Sequence, residues 1–133
     1  MPDKLERYPT GERLVSQSTQ QDEAQGPLID LDHLAGQTLY DIALQNEVLA
    51  LFHQQLLEAR SAVLSMNSDQ RRDLAHRLVG AARAVGAFSL ALTVEAVSND
   101  PQDTEILARM RAQIDSLIPH LVHLITSEER AKG

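Results

Sequence analysis

Apolar residues recur at intervals of three and four along five stretches of the chain, which is the spacing of one face of an α-helix. The pattern predicts a short first helix over 28–40, followed by helices over 41–65, 68–85, 88–98 and 101–126. No stretch shows the period-two alternation that indicates a β-strand. The pattern therefore predicts an all-α fold, an antiparallel four-helix bundle with a short additional N-terminal helix across one end.

The segments on either side of the predicted bundle show no sustained helical periodicity. Residues 1–27 are polar, contain a Gln/Ser/Thr cluster at 16–21 and end in Gly26-Pro27, a composition typical of a flexible leader. Residues 127–133 are mostly charged. The chain is therefore divided into a flexible polar leader (1–27), a helical bundle (28–126) and a charged tail (127–133).

Composition narrows the class of protein further. Hydrophobic residues make up 43% of the 133 residues but aromatic ones only 3%, a balance that favours a helical bundle over a β-sandwich. The absence of cysteine excludes disulfides and thiolate metal sites. A net charge of −7 argues against nucleic-acid binding, and no apolar run has the length of a membrane span. We therefore expect a cytoplasmic protein that binds neither nucleic acid nor membrane. We also expect a monomer, while the polar leader and an apolar residue, Val79, leave a dimer or a permanent partner open.

Capping residues predict where two of the helices begin and where one of them ends. Asn67, with Gln70 three residues later, predicts a capping box at the start of the helix over 68–85. Gly86 is placed to end that helix in the left-handed conformation. For the last helix, Asp100 is the predicted N-cap and Pro101 the predicted first helical residue.

The helix predicted over 68–85 separates into two faces of different character. One face is apolar and includes small residues that allow close helix packing, and it carries Leu74, Leu78, Ala81, Ala82 and Val85. On the opposite face His76 stands at the middle of a polar strip. Arg72, Gly80 and Arg83 lie near it, at offsets of −4, +4 and +7. A histidine of the core would lie among the leucines, so we expect His76 to face solvent.

An exposed neutral imidazole suits nucleophilic attack on phosphorus. Guanidinium groups on the same face can then hydrogen-bond the oxygens of the phosphoryl group. Gly80 costs the helix about 1 kcal/mol relative to alanine. Its missing side chain therefore serves either the close approach of a partner or tight packing against another helix. The chain has no Gly-rich phosphate loop that would bind ATP, so the phosphoryl group would come from another protein.

The same stretch resembles the motif of histidine-containing phosphotransfer (HPt) domains, which reads His-x-Leu-Lys-Gly, then two small residues and a further glycine. The matching positions are His76, Leu78, Gly80, Ala81, Ala82 and Gly86. Val79 stands where the family has a lysine that helps to hold or attract the phosphoryl group. The specific residues are confined to 76–87, whereas the similarity in helical pattern extends over 28–126.

The resemblance implies a phosphorelay intermediate, a carrier protein rather than an enzyme, with no cofactor of its own. His76 would accept a phosphoryl group from a receiver-domain aspartate and pass it to, or take it back from, another receiver. The partners would be the receiver domains of hybrid sensor histidine kinases and response regulators. The role of the family's lysine would pass to Arg72, Arg77 or Arg83, and Gly80 would give the partner clearance.

Other classes of function stay open at this point. A non-catalytic docking module would regulate a kinase or response regulator without carrying phosphate, and Val79 would then mark the loss of transfer. An enzyme with its own substrate would need a second titrating group near His76, and that face carries none. His120 and His123 have the i, i+3 spacing of metal ligands, but no third ligand lies at a matching position, so no metal site is predicted.

Overall fold

A computed structural model of the protein describes residues 28–132, and all regular structure within them is helical. The leader predicted over 1–27 and the final residue, Gly133, lie outside the described residues. In chain order the helices are α1 (Leu31–Gln37), α2 (Ile42–Ala62), α3 (Ser68–Val85), α4 (Phe88–Asn99) and α5 (Thr104–Lys132), with a 3₁₀ turn over Val63–Ser65. The predicted all-α fold is confirmed, and α5 continues past its predicted end at residue 126.

Helices α2 to α5 pack as a four-helix bundle. Helix α3 packs against α2 and α4, and α5 also packs against α2 and α4, so each helix has two neighbours in the bundle. The connections between consecutive helices are short, which is typical of antiparallel neighbours. Helix α1 is the short additional helix and packs on α2 and α3.

The core draws large apolar side chains from every helix of the bundle. The largest fully buried ones include Ile29, Leu34, Leu49, Phe52, Leu56, Leu90, Met110, Ile114 and Leu121. Burial of each such side chain contributes about 1.5–3 kcal/mol. Each helix also keeps polar residues on its outer face, and none of the helices in the described range is long and apolar enough to cross a bilayer.

Both ends of α3 are closed by the residues that the sequence predicted. The Oδ1 atom of Asn67 accepts a hydrogen bond from the Gln70 N–H at 2.8 Å, and Gln70 Oε1 accepts from the Asn67 N–H at 2.9 Å. At the other end Gly86 adopts the left-handed conformation, with φ of 84°. The N–H groups of Gly86 and Ala87 then bond to carbonyls of the last turn, as in a Schellman motif. Helix α3 is therefore held at both termini.

The predicted start of the last helix is wrong by three residues. Helix α5 begins at Thr104, and Asp103 Oδ1 caps it by accepting hydrogen bonds from the second and third N–H groups of the helix at 2.9 and 3.2 Å. Pro101 is buried in the preceding turn, where the Asp103 N–H donates to the Asp100 carbonyl at 3.1 Å. The Pro101 carbonyl is bound by Arg71 at 2.9 Å, so this residue belongs to a tertiary contact and not to the helix.

The spacing of apolar residues predicts a buried face of α4 made of Phe88, Leu92, Val94 and Val97, and the structure differs from this in part. Val94 and Val97 are buried as expected, but Phe88 and Leu92 are 42% and 70% exposed. Leu90 and Ala91 take their places in the core. Both rows of this short helix are apolar, so periodicity alone did not separate the row that packs from the row that faces solvent.

Arg71 joins three parts of the chain. Its guanidinium donates from Nε to the Val63 carbonyl at 2.9 Å, from Nη2 to the Leu64 carbonyl at 3.1 Å and from Nη1 to the Pro101 carbonyl at 2.9 Å. These contacts tie the start of α3 to the 3₁₀ turn after α2 and to the turn before α5. Hydrogen bonds from a charged donor are among the stronger ones in proteins. Arg71 therefore helps to fix α3 within the bundle.

Candidate functional site

His76 lies in the middle of α3 on its solvent side, and its side chain is exposed as predicted. The opposite side of the same helix is anchored in the core by four buried residues, Ala75, Leu78, Ala82 and Val85. Leu74 and Ala81, which the sequence placed on the apolar face, are half-buried and pack at its edges. A helix held on one side and capped at both ends fixes the position of the His76 backbone on the surface of the bundle.

An open groove between α3 and α4, with a volume of about 590 Å³, runs past His76. Its α3 side is formed by His76, Val79, Gly80 and Arg83. Its α4 side is formed by Glu95, Ser98 and Asn99. The two helices are joined by a turn of only two residues, Gly86 and Ala87, which aligns them side by side along the groove. The groove therefore combines an imidazole, a guanidinium, a carboxylate, a hydroxyl and a carboxamide.

Gly80 leaves an open space one turn from His76. A Cβ atom added at Gly80 would meet no atom within 4 Å, apart from the backbone of its own helix and its chain neighbours. Of the two explanations that the sequence allowed, tight packing against another helix therefore does not hold within the described part of the chain. The missing side chain enlarges the surface groove beside the imidazole instead.

The three candidate arginines of α3 lie on different parts of the protein surface. Arg83 lines the groove, and its Nη2 atom donates to Glu95 Oε2 of α4. Arg72 is exposed and pairs with Asp69 of its own helix at 3.3 Å, outside the residues that line the groove. Arg77 lines a separate depression between α2 and α3. Of the three, Arg83 alone shares the groove with His76.

Val79 lies at the boundary between the hydrophobic core and the groove. Its side chain is half-buried and packs against the hydrophobic core, and it also lines the groove beside His76. This side chain carries no charge and contributes to packing. Of the six residues that the sequence nominated, His76, Val79, Gly80 and Arg83 come together in the groove, whereas Arg72 and Arg77 do not.

A second depression of about 570 Å³ adjoins the groove on the α1 side. Gly80 and Arg83 belong to both depressions, and His33, Gln37, Ala84 and Phe88 complete the second one. The rings of His33 and Phe88 meet edge to face with their centroids 5.0 Å apart. The surface around His76 therefore continues from α3 onto α1 and carries an exposed aromatic side chain.

The groove places several hydrogen-bond donors beside the imidazole of His76. The guanidinium of Arg83, the hydroxyl of Ser98 and the side-chain amide of Asn99 are hydrogen-bond donors that suit phosphoryl oxygens. Among the side chains that the structure describes, residues 28–125, no three His, Asp or Glu are grouped as metal ligands. Elsewhere in the bundle His53 and His120 are half-buried and His123 is exposed.

The three α4 residues of the groove were not nominated from the sequence. Glu95, Ser98 and Asn99 are polar positions of a helix whose other rows are apolar, and this pattern alone reads as a solvated face. A stronger signal was the two-residue turn between the helices. In an antiparallel pair, residues at similar distances from the turn lie opposite each other, which places Ser98 and Asn99 across from His76.

Comparison with known proteins adds no relative to this picture. The chain matches no protein-family model, no curated protein and no solved structure.

Proposed function

We propose that the protein is a phosphorelay intermediate that carries a phosphoryl group on His76. The group arrives from the phospho-aspartate of one receiver domain and leaves to the aspartate of another receiver. The receivers belong to hybrid sensor histidine kinases and response regulators, and the reaction is reversible. In this function the protein is a carrier with a covalent intermediate, and its bundle serves to present the imidazole.

The observation that carries this proposal is the combination of an exposed His76 with open space at Gly80. A glycine inside a helix lowers helix stability by about 1 kcal/mol relative to alanine. No neighbouring side chain or helix of the described residues occupies the space that it leaves. The space lies next to the one imidazole of the groove, so it supports the approach of a partner to His76.

The phosphoryl group passes directly from the aspartate of the receiver to the imidazole of His76. A lone pair of one imidazole nitrogen forms the N–P bond while the P–O bond to the receiver's aspartate breaks. The electron pair of that bond leaves with the aspartate carboxylate, and the other ring nitrogen keeps its proton. The transition state spreads negative charge over the phosphoryl oxygens, which donors in the groove can stabilise. Arg83, Ser98 and Asn99 are the donors available there.

The test is to phosphorylate the protein and determine the chemistry of the bond. One arm uses phosphoramidate, a small donor that needs no protein partner and whose P–N bond breaks to release ammonia. The other arm uses receiver domains labelled with radioactive acetyl phosphate. We expect one phosphoryl group per chain in both arms, held by a bond that is labile in acid and stable in alkali, as a phosphohistidine is.

Two results would contradict the carrier function. If neither phosphoramidate nor any receiver labels the protein, while a receiver or a kinase binds it tightly, the carrier function is wrong. The protein is then a docking module that regulates its partner without carrying phosphate. A label that is stable in acid places the phosphoryl group on a hydroxyl side chain and also contradicts the proposal.

Substitution of Gly80 by alanine is expected to have opposite effects on stability and on transfer. The added methyl group meets no neighbour within 4 Å, so the better helix propensity of alanine raises the free energy of unfolding by about 0.5–1 kcal/mol. The same methyl group narrows the groove where a receiver approaches, and transfer from a receiver slows about tenfold. Urea denaturation and the rate of receiver-dependent labelling measure the two effects.

Gly36 supplies a matched control because it is also a helical glycine with open space around its missing Cβ. It lies in α1 and outside the groove of His76. Gly36→Ala is expected to leave the transfer rate unchanged. Labelling by phosphoramidate should stay near the wild-type rate in both variants, since this donor is small. An unchanged transfer rate in Gly80→Ala would show that the open space does not serve a partner.

A further inference from the structure

Arg83 and Glu95 form an ion pair that joins α3 to α4 across the groove of His76. Both side chains remain about half-exposed, at 53% for Arg83 and 44% for Glu95. Arg83 is the one permanently charged cation among the residues that line this groove. In the unphosphorylated protein, therefore, the cation best placed to bind a phosphoryl group is already bound to a carboxylate.

Arg83 is also within reach of His76 along the surface of α3. It lies seven residues after His76, about two helical turns, on the same side of the helix. Long side chains on a helix incline towards its N-terminus, which for Arg83 is the direction of His76. Gly80 lies between them, and no atom occupies the space that a side chain there would fill. An extended guanidinium can pass over this glycine without obstruction.

We propose that Glu95 and the phosphoryl group on His76 compete for Arg83. Before phosphorylation Glu95 holds the guanidinium at α4. After phosphorylation the phosphoryl oxygens take the guanidinium, and Glu95 is left free in the groove. Glu95 is thus a positioning residue that acts through Arg83, and the inference rests on the proposed function of His76.

The relative strength of the two interactions favours the exchange. Ion pairs between exposed side chains are weak, because water and salt screen them. A phosphoryl group carries more negative charge than a carboxylate, and it can accept the same two parallel hydrogen bonds from a guanidinium. The exchange also leaves Glu95 in a half-exposed position where water can solvate its charge. The release of Glu95 is therefore not opposed by burial of an unpaired carboxylate.

The competition has a consequence for a carrier that must both accept and release its group. Every phosphorylation of His76 has to break the contact between Arg83 and Glu95, which lowers the affinity of the imidazole for the phosphoryl group. Glu95 thereby shifts the transfer equilibrium towards the receiver. Without Glu95 the guanidinium is free from the start, and the phosphoryl group stays longer on His76.

The transfer equilibrium with one receiver domain tests this role. In Glu95→Gln the ratio of phosphorylated His76 to phosphorylated receiver should rise about two- to fivefold, the size of effect that an exposed ion pair supplies. In Arg83→Ala the ratio should fall. In the double variant, Glu95→Gln should have little further effect, since Glu95 acts through Arg83. An equal rise in both backgrounds would mean that Glu95 repels the phosphoryl group directly, and it would overturn the proposal.

A second ion pair between helices provides the control for loss of a surface contact. Arg60 Nη1 of α2 lies 3.3 Å from Asp115 Oδ1 of α5, and both side chains are exposed to a similar degree. Asp115→Asn removes this pair away from the groove, and the transfer equilibrium should not change. A shift of the same size in Asp115→Asn would assign the effect to general loosening of the bundle.

A spectroscopic readout observes the exchange itself. The side-chain Nε–H resonance of Arg83, assigned by its loss in Arg83→Lys, should move when wild-type protein is phosphorylated with phosphoramidate. In the unphosphorylated Glu95→Gln variant the resonance should also leave its wild-type position, because the guanidinium has lost the carboxylate of Glu95. Failure of both phosphoramidate and receiver domains to label wild-type protein overturns the proposed function and this inference together. Normal labelling with an unmoved Arg83 resonance overturns the inference alone.

Discussion

The His76→Gln variant should accept no phosphoryl group from either phosphoramidate or a receiver domain. Glutamine keeps a polar side chain of similar length, but its amide nitrogen has no free lone pair with which to form an N–P bond. The loss should be complete, because no second nucleophilic nitrogen lines the groove. Incorporation of radioactive label into the purified variant, compared with wild-type protein in the same reaction, measures the effect.

Four other histidines of the chain, His33, His53, His120 and His123, allow a residue-specific control. Each is changed to glutamine in turn, and each variant should be labelled as wild type is. His33 is the most demanding case, because it lies against Phe88 in the depression that adjoins the groove. Residual label in His76→Gln, or loss of label in one of the other four variants, would show that the carrier residue was assigned incorrectly.

The His76→Gln variant should remain folded, so that its loss of labelling reports the missing nucleophile and not unfolding. His76 is exposed and makes no hydrogen bond or ion pair within the described residues. Substitutions at such surface positions change the free energy of unfolding by about 0.5 kcal/mol or less. Urea denaturation of His76→Gln should therefore coincide with that of wild-type protein, so that lost labelling cannot be attributed to unfolding.

Hydrophobic periodicity predicted the helices well where one row of residues is apolar and the others are polar. The apolar stripe that the spacing predicts for α5 shows this most clearly. Its first five members, Leu107, Met110, Ile114, Leu117 and Leu121, are buried, and its last, Ile125, is half-buried against the core. In α4 two rows are apolar. The row that contains Leu90 is buried in the core, and the row that contains Leu92 faces solvent. The choice between them depends on how α4 sits against α3 and α5, which a single helix does not encode.

Local capping rules succeeded where the cap is a contact between near neighbours and failed where a distant residue intervenes. The Asn67 capping box and the Gly86 cap involve only residues of α3 and its ends, and both are present. Pro101 satisfied the same kind of local rule for the start of α5. The helix nevertheless begins later, and the Pro101 carbonyl is bound by Arg71, thirty positions earlier in the chain.

The candidate site was predictable on α3 and not across the groove. The helical spacing of His76, Gly80 and Arg83 placed all three on one face, and the structure agrees. The partner of Arg83 was not predictable, because the contact with Glu95 depends on the register of two helices. The local run of arginines was also a poor guide to which side chains are free to bind a ligand. Arg71 is adjacent to Arg72 in the sequence, but its guanidinium is bound to backbone carbonyls.

Gly86→Ala should be the most destabilising substitution near the site, with a loss of about 2–4 kcal/mol in the free energy of unfolding. One part of the loss is conformational, because φ at Gly86 is +84° and an L side chain is strained there. The other part is steric, since a Cβ atom would lie 2.7 Å from the carbonyl oxygen and 2.9 Å from the backbone nitrogen of Asp30. Backbone atoms cannot rotate away as a flexible side chain does.

The contact at Gly86 links the end of α3 to the start of α1, so the damage should spread to α1. The Asp30 N–H donates to the Gly86 carbonyl at 3.0 Å, and the Asp30 side chain caps α1 by accepting from the His33 N–H at 3.0 Å. To relieve the overlap, α1 has to move away from α3 and lose the first of these bonds. Amide hydrogen exchange should therefore show faster exchange in α1, while urea denaturation reports the global loss.

A comparison with Gly86→Asn separates the two parts of the loss. Asparagine tolerates the left-handed conformation better than alanine does, so it removes most of the conformational strain. It still carries a Cβ atom, which meets the Asp30 backbone at the same distances. If the overlap dominates, the two variants should be destabilised almost equally, and α1 should exchange faster in both. Near-wild-type stability of Gly86→Asn would mean that α1 yields easily and that the left-handed conformation alone requires the glycine.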